Sequence, residues 1–257
     1  MVKSRKKKQD EMENDILKIY NIDNLVDNEN DSQKTSLHPL LVKHPFRMLC
    51  IGSSGLGKTS MAVQMICKQL VFDKIYVISR HNTQSKMVYL KNYLQDIERS
   101  IEEQHKIKHQ IIELWTDSLD DLPDIKEGYN KDYRNLIFID DFNNLTKAEE
   151  KKLSAYFCRC RHANASIIMC NQLYFRTPRP VRLNLSHVVL FNNKNNREIQ
   201  MLANELASDM TSQEFKQLYN TVLDRPYQFM LIDNTAIDKA HKYRRNWDEL
   251  YGVHFNI

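Results

Sequence analysis

Three of the chain's five glycines, Gly52, Gly55 and Gly57, fall within CIGSSGLGKTS, Cys50 to Ser60. Gly52, Gly57, Lys58 and Thr59 satisfy the spacing G-x-x-x-x-G-K-[ST]. A loop that wraps phosphate groups points successive backbone N–H groups inward, through conformations that glycine reaches at little cost. A helix starting near Lys58 aims the positive end of its dipole at the same anion. The spacing therefore assigns Gly52, Ser53, Ser54, Gly55, Leu56, Gly57, Lys58, Thr59 and Ser60 to a nucleotide phosphate cradle. Lys58 is expected to reach the β- and γ-phosphates of ATP, and the Thr59 hydroxyl to ligate Mg²⁺. The bland alternative is a glycine-rich turn that happens to precede Lys-Thr.

Such a site needs an acid at the end of a second strand to hold the metal. NLIFIDDF supplies Asp140 after an apolar run, with Asp141 next. A carboxylate ending a buried strand must find a partner or a metal, because desolvating it alone is costly. Asp140 is the expected metal-side residue. Asp141 is the expected group that polarises an attacking water, the alternative being a helix-capping or salt-bridging acid. One strand later, SIIMCNQ ends in Asn171 and Gln172. An amide at that tip can sense the γ-phosphate or orient the water; the alternative is a loop amide with backbone contacts alone.

The surrounding elements follow from periodicity. RMLCIG (Arg47 to Gly52), KIYVIS (Lys74 to Ser79), IIELW (Ile111 to Trp115), NLIFID (Asn135 to Asp140), SIIMCNQ, HVVLFN and YQFMLID (Tyr227 to Asp233) read as strands, the last closing the sheet. Ala62, Val63, Ile66 and Leu70 make one stripe of a helix after the phosphate loop. Further helices are expected over 84–110, over 195–206, over 212–224, and from Thr146, whose Glu149 three residues on makes a capping box. Strands alternating with helices predict an α/β fold: a mostly parallel sheet with helices on both faces. KIYVIS is expected to lie between the phosphate-loop strand and the Asp140 strand. That insertion, the paired acids and the polar strand tip describe the water-activating class of P-loop ATPases.

Bulk properties bound the rest. The 257 residues suit one α/β domain, and a net charge of +4 permits nucleic-acid binding without demanding it. No apolar run is long enough for a membrane span, and the basic N-terminus lacks the apolar stretch of a secretory signal. The five cysteines read as buried or free thiols of a reducing compartment. Residues 1–36 read as a partly disordered tail, with the basic KSRKKK, an acidic Asn-rich stretch and a short helix around Asp15 to Tyr20. The basic cluster is a solvated tail, a nuclear-type address or a phosphate contact. Residues 37–235 are the expected ATPase domain and 236–257 a C-terminal tail.

With these residues in place, the chain resembles the poxvirus-type DNA-packaging ATPases of large DNA viruses and virophages, within the FtsK/HerA superfamily of P-loop NTPases. The pieces that match are IGSSGLGKTS, LIFIDDF, YFCRCRHANASIIMCNQ and PRPVRLNLSHVVLFNNKNNREI, within about Pro45 to Asp233. The resemblance implies a RecA/FtsK-like fold and a homo-oligomeric ring that hydrolyses ATP to move double-stranded DNA into a preformed capsid. It implies a capsid or portal partner, and a soluble, intracellular protein of the host cytoplasm, viral factory or virion. It also implies an arginine that completes the neighbour's active site. The matching position is Arg197, with Arg182 and Arg161 as competitors. Arg176, Arg179 and Arg182, in the proline-broken YFRTPRPVRLN, are candidates for sequence-independent DNA contact, against ordinary surface arginines. Two other readings stay open: a nucleoside-type small-molecule kinase, and a nucleotide-gated assembly scaffold with little turnover.

Overall fold

The structure, a computed structural model, describes residues 40–193 and 195–251. The tail expected over 1–36, its basic cluster and its short helix lie outside the described residues.

Six parallel strands form the body of the sheet: β1 (Arg47–Ile51), β2 (Lys74–Ser79), β3 (Ile112–Thr116), β4 (Asn135–Asp140), β5 (Ala165–Asn171) and β6 (His187–Phe191). Three antiparallel strands continue it: β7 (Phe229–Asp233), β8 (Tyr243–Arg245) and β9 (Glu249–Leu250). Their order across the sheet is β3-β2-β4-β5-β1-β6-β7-β8-β9.

Successive side chains of the central strands go to opposite faces, and both faces are covered, which is why these strands read as unbroken apolar runs. Met48, Cys50, Phe138 and Ile168 face one way, against α1 (Lys58–Lys68) and α2 (Ser85–His105). Leu49, Ile51, Ile139 and Ile167 face the other, against α3 (Lys147–Arg159), α5 (Asn196–Leu206) and α6 (Ser212–Val222). A single short turn of helix, α4 (Arg179–Arg182), lies between β5 and β6. The Thr146–Glu149 capping box starts α3 as its spacing predicts. The α2 helix stops at His105, short of Gln110, because Lys106 turns left-handed with φ 57°. Beyond it, the Glu98 carboxylate accepts the backbone N–H groups of Ile111 and Ile112.

Two expectations are corrected. The strand between β1 and β4 is β5, not KIYVIS: β2 pairs with β4 on its far side and with β3. All these strands are apolar on both faces, so hydropathy alone carries no information about their order. The sheet also does not close at Asp233. Tyr243–Arg245 and Glu249–Leu250 add two strands from the segment read as a tail. Their hydropathy alternates weakly, and they are held by Arg244. Its buried guanidinium donates to Asp233 Oδ2 at 2.9 Å and to the Leu40 carbonyl at 2.7 Å.

Candidate nucleotide site and its relatives

The site is built on the carboxyl ends of the parallel strands. Register sets Ser79 beside Asp140, Asp140 beside Cys170, and Cys170 beside Cys50. The chain leaving each of these four tips forms the floor of one cavity. That is where open parallel sheets bind ligands.

The phosphate loop leaves β1 at Gly52. A Cβ there would lie 2.6 Å from Phe191 Cβ on β6, so only glycine lets the two strand ends pass. Gly57 sits at φ 104°, the left-handed region, and hands the chain to α1. No side chain caps α1, which leaves its first N–H groups for an anion. Lys58 is buried and its Nζ donates to the Ser53 carbonyl at 2.9 Å. Burial lowers its pKa, against the charges of Asp140 and Asp141. Ser54, Gly55, Gly57, Lys58 and Thr59 line a cavity of about 100 Å³ together with Asp140, Asp141 and Gln172. Ser60 does not line it; it faces the neighbouring cavity on the other side of the helix start. Leu56 packs against the core.

Thr59 Oγ1 donates to Asp140 Oδ1 at 3.0 Å. Asp140 is 3 % exposed, and burial raises its pKa despite that hydrogen bond. A buried carboxylate whose side-chain hydrogen-bond partner is a hydroxyl, beside a phosphate cradle, fits Mg²⁺, which takes one or two protein oxygens and completes its shell with phosphate and water. Among the described residues no cluster of three or more His, Cys, Asp or Glu could hold a metal without such a shared shell. Cys170 lines the cavity too. A hydrogen bond with Cys50 and burial push its thiol up and keep it neutral.

Asp141 adopts φ 62°, a conformation that strains a non-glycine residue. Three side chains hold it there. Asn143 Nδ2 and Gln172 Nε2 both donate to Oδ1, the latter at 3.2 Å, and His81 Nε2 lies 3.1 Å from Oδ2. Asn143 Oδ1 in turn accepts the Gln172 backbone N–H at 2.8 Å. Gln172 and Asp141 thus form one unit beside the cavity. His81 and Asn143 were not singled out from the sequence. His81 enters because β2 borders β4, a neighbour relation that local spacing does not carry.

The arginines fall in different places. Arg182 is committed within its own chain: Nε and Nη2 pair with Glu205 at 3.0 and 3.1 Å, and Nη1 donates to the carbonyls of Phe175 and Thr177. Arg161 lies in the turn before β5, at the end of the sheet opposite the cavity. Arg197 is exposed in the first turn of α5, after β6, at the same end as the cavity but not lining it. Arg176 donates to Asn144 Oδ1, and Arg179 is exposed.

No curated protein matches the chain. Solved structures with a similar fold include the genome packaging NTPase B204 of Sulfolobus turreted icosahedral virus 2. In its complex with ATP-gammaS it is 13 % identical, with 79 % of this chain and 98 % of that one covered and a TM-score of 0.46. In its complex with AMP it is 15 % identical over the same shares, with a TM-score of 0.48. ATPases 2 and 3 of EssC from Geobacillus thermodenitrificans are 11 % identical over 81 % of this chain and 40 % of that one, at a TM-score of 0.45. The profile of the family described as "Poxvirus A32 protein" matches residues 34–243, which extends past Asp233 into β8. A chain matched over most of its length, with its phosphate loop, paired acids and strand-tip amide assembled on one mostly parallel sheet, belongs to the poxvirus A32 protein family.

Proposed function

We propose that the protein is an ATP-driven motor that moves double-stranded DNA into a preformed viral capsid, working as a homo-oligomeric ring. The observation that carries the hydrolytic part is the Asp141 unit. A strained carboxylate, held by Gln172, Asn143 and His81, borders the same cavity as Lys58, Thr59 and Asp140. A phosphoryl acceptor in such a site is water, and Asp141 is the group positioned to orient it and accept its proton. Lys58 and the N–H groups of the loop bind the β- and γ-phosphates. Thr59 and Asp140 hold Mg²⁺, which when bound neutralises charge on the phosphate oxygens. Gln172 senses the γ-phosphate from the strand between the two catalytic strands.

Arg197 is the proposed arginine supplied to the neighbouring subunit. Its exposure and its lack of a side-chain partner among the described residues leave it free to reach across a ring. Arg182 is proposed as a positioning residue of the loop that carries Arg176 and Arg179, and those two as contacts to DNA phosphates. Family membership supports the packaging role; capsid or portal attachment is part of the same proposal.

The test is phosphate release from the full-length protein with Mg-ATP, with and without long linear double-stranded DNA, at low and moderate salt. Turnover should rise with DNA, fall with salt, and vanish in Lys58→Ala. Turnover indifferent to DNA would replace the motor with an assembly ATPase or scaffold. Phosphate transfer to an added nucleoside without hydrolysis would replace it with a kinase.

A further inference from the structure

A second cavity, of about 500 Å³, opens beside the phosphate loop on its β6–β7 side. It shares Gly55, Gly57 and Lys86 with the phosphate cavity, so the two adjoin at the phosphate loop. Its wall is aromatic: Phe191 at the end of β6, Phe229 at the start of β7, and Trp247 from the β8–β9 turn. The rings are ordered against one another. Phe229 and Trp247 meet edge to face at 4.9 Å, and Phe191 and Phe229 lie 5.7 Å apart. Tyr227 closes the wall next to the loop. A Cβ on Gly57 would lie 3.7 Å from the Tyr227 ring and 3.7 Å from that of Phe191.

Tyr227 is the residue that core packing does not explain. It is 75 % exposed, and its φ is 63°. Glycine would adopt that turn without strain, and an exposed ring recovers nothing from the core. A ring held in that conformation beside a phosphate cradle is open for something flat to lie on it. Gln64 and Gln69 of the α1 region also line the cavity, and their amides have no side-chain partner among the described residues. A primary amide presents both a donor and an acceptor, the pattern needed to meet the edge of a base.

We infer that this cavity is the nucleobase site: the exposed Tyr227 ring offers the stacking face for a purine whose phosphates lie on Lys58, Trp247 and the buried Phe229 complete the wall, and Gln64 and Gln69 stand at its edge. The inference rests on the nucleotide reading of the phosphate loop. It adds the residues that read the base and a preference for purines over pyrimidines, because a stacking face rewards ring area. It also gives the β8–β9 segment a direct part in the site through Trp247.

The experiment measures binding of Mg-ATP, Mg-GTP, Mg-CTP and magnesium tripolyphosphate to the full-length protein by calorimetry. The proteins are wild type, Tyr227→Gly, Trp247→Leu and Lys58→Ala. Tyr227→Gly removes the ring and relaxes the left-handed turn, so its thermal midpoint should stay level or rise. The expected result is ATP affinity lowered on the order of tenfold in Tyr227→Gly and Trp247→Leu, with tripolyphosphate unaffected. Wild type should prefer ATP and GTP to CTP several-fold, and both variants should lose that preference. Lys58→Ala should lose ATP and tripolyphosphate together. An unchanged ratio of ATP to tripolyphosphate affinity in Tyr227→Gly, or CTP binding as tightly as ATP, would overturn the base site and leave the phosphate loop standing. Wild type that binds neither ATP nor tripolyphosphate would overturn both.

Discussion

Asp141 occupies a left-handed backbone position that asparagine tolerates at least as well as aspartate. That makes Asp141→Asn a clean probe. The variant keeps the turn and accepts from Gln172, but loses the charge that would take a proton from water. Turnover is expected to fall by about a hundredfold or more, with nucleotide affinity and thermal midpoint held. A variant that still hydrolyses ATP at the wild-type rate would remove Asp141 from the chemistry. His81→Gln keeps a polar group near Oδ2 but not the imidazole geometry. Its turnover should fall by roughly tenfold with binding unchanged, since small displacements of a catalytic group are costly. At this scale the sequence was most legible where the chemistry is local. Gly52 to Thr59 and Asp140–Asp141 are contiguous stretches whose spacing is itself the geometry. His81 was illegible because it meets Asp141 only through the pairing of β2 with β4, 60 residues of chain apart.

The elements decide which arginine is left without a side-chain partner in its own chain. The loop after β5 is fastened to α5 twice. The buried Glu198 carboxylate accepts the Tyr174 and Phe175 N–H groups, and Arg182 pairs with Glu205. The loop that follows Gln172 is therefore tied to the same helix whose first turn carries Arg197. Arg182→Ala is expected to lower the thermal midpoint, because it unfastens two carbonyls and a carboxylate at once. Arg197→Ala should leave the midpoint unchanged and lower turnover of the assembled protein by about a thousandfold. Mixing decides whether the arginine acts in trans. Lys58→Ala supplies an arginine without a working loop, and Arg197→Ala a loop without the arginine. Mixed oligomers should recover activity that neither variant has alone; no recovery at any ratio would assign Arg197 to its own subunit or to the surface. Helix and strand types were legible here from period and capping. Strand order was not, because β1, β2, β4 and β5 are equally buried, and what separates them is crossover geometry.

At the scale of the molecule, the last strands are not an appendage. Asp233 ends β7 between His187 on β6 and Arg244 on β8, so one carboxylate ties three strands and, through Arg244, the Leu40 carbonyl. Weak alternation hid β8 and β9 from the sequence, and the pairing of Arg244 with Asp233 is what gives them a place. Burial opposes ionisation of Asp233, but hydrogen bonds from His187 and Thr235 outweigh it and hold the carboxyl well below the usual carboxylate range. The sign follows from linkage. A group whose folded pKa is depressed contributes stability that is complete above its unfolded value, about 3.9, and is lost as pH falls through the folded one. Wild type should therefore lose stability below about pH 4 on account of this group. Asp233→Asn should be less stable at pH 7 and show a shallower acid limb. Arg244→Ala leaves the buried carboxylate with His187 and Thr235 but without its arginine partner, and is expected to cost about 3 kcal/mol in urea unfolding. Parallel acid limbs for wild type and Asp233→Asn would mean that this carboxylate titrates alike in both states, and that the edge of the sheet is held by backbone pairing instead.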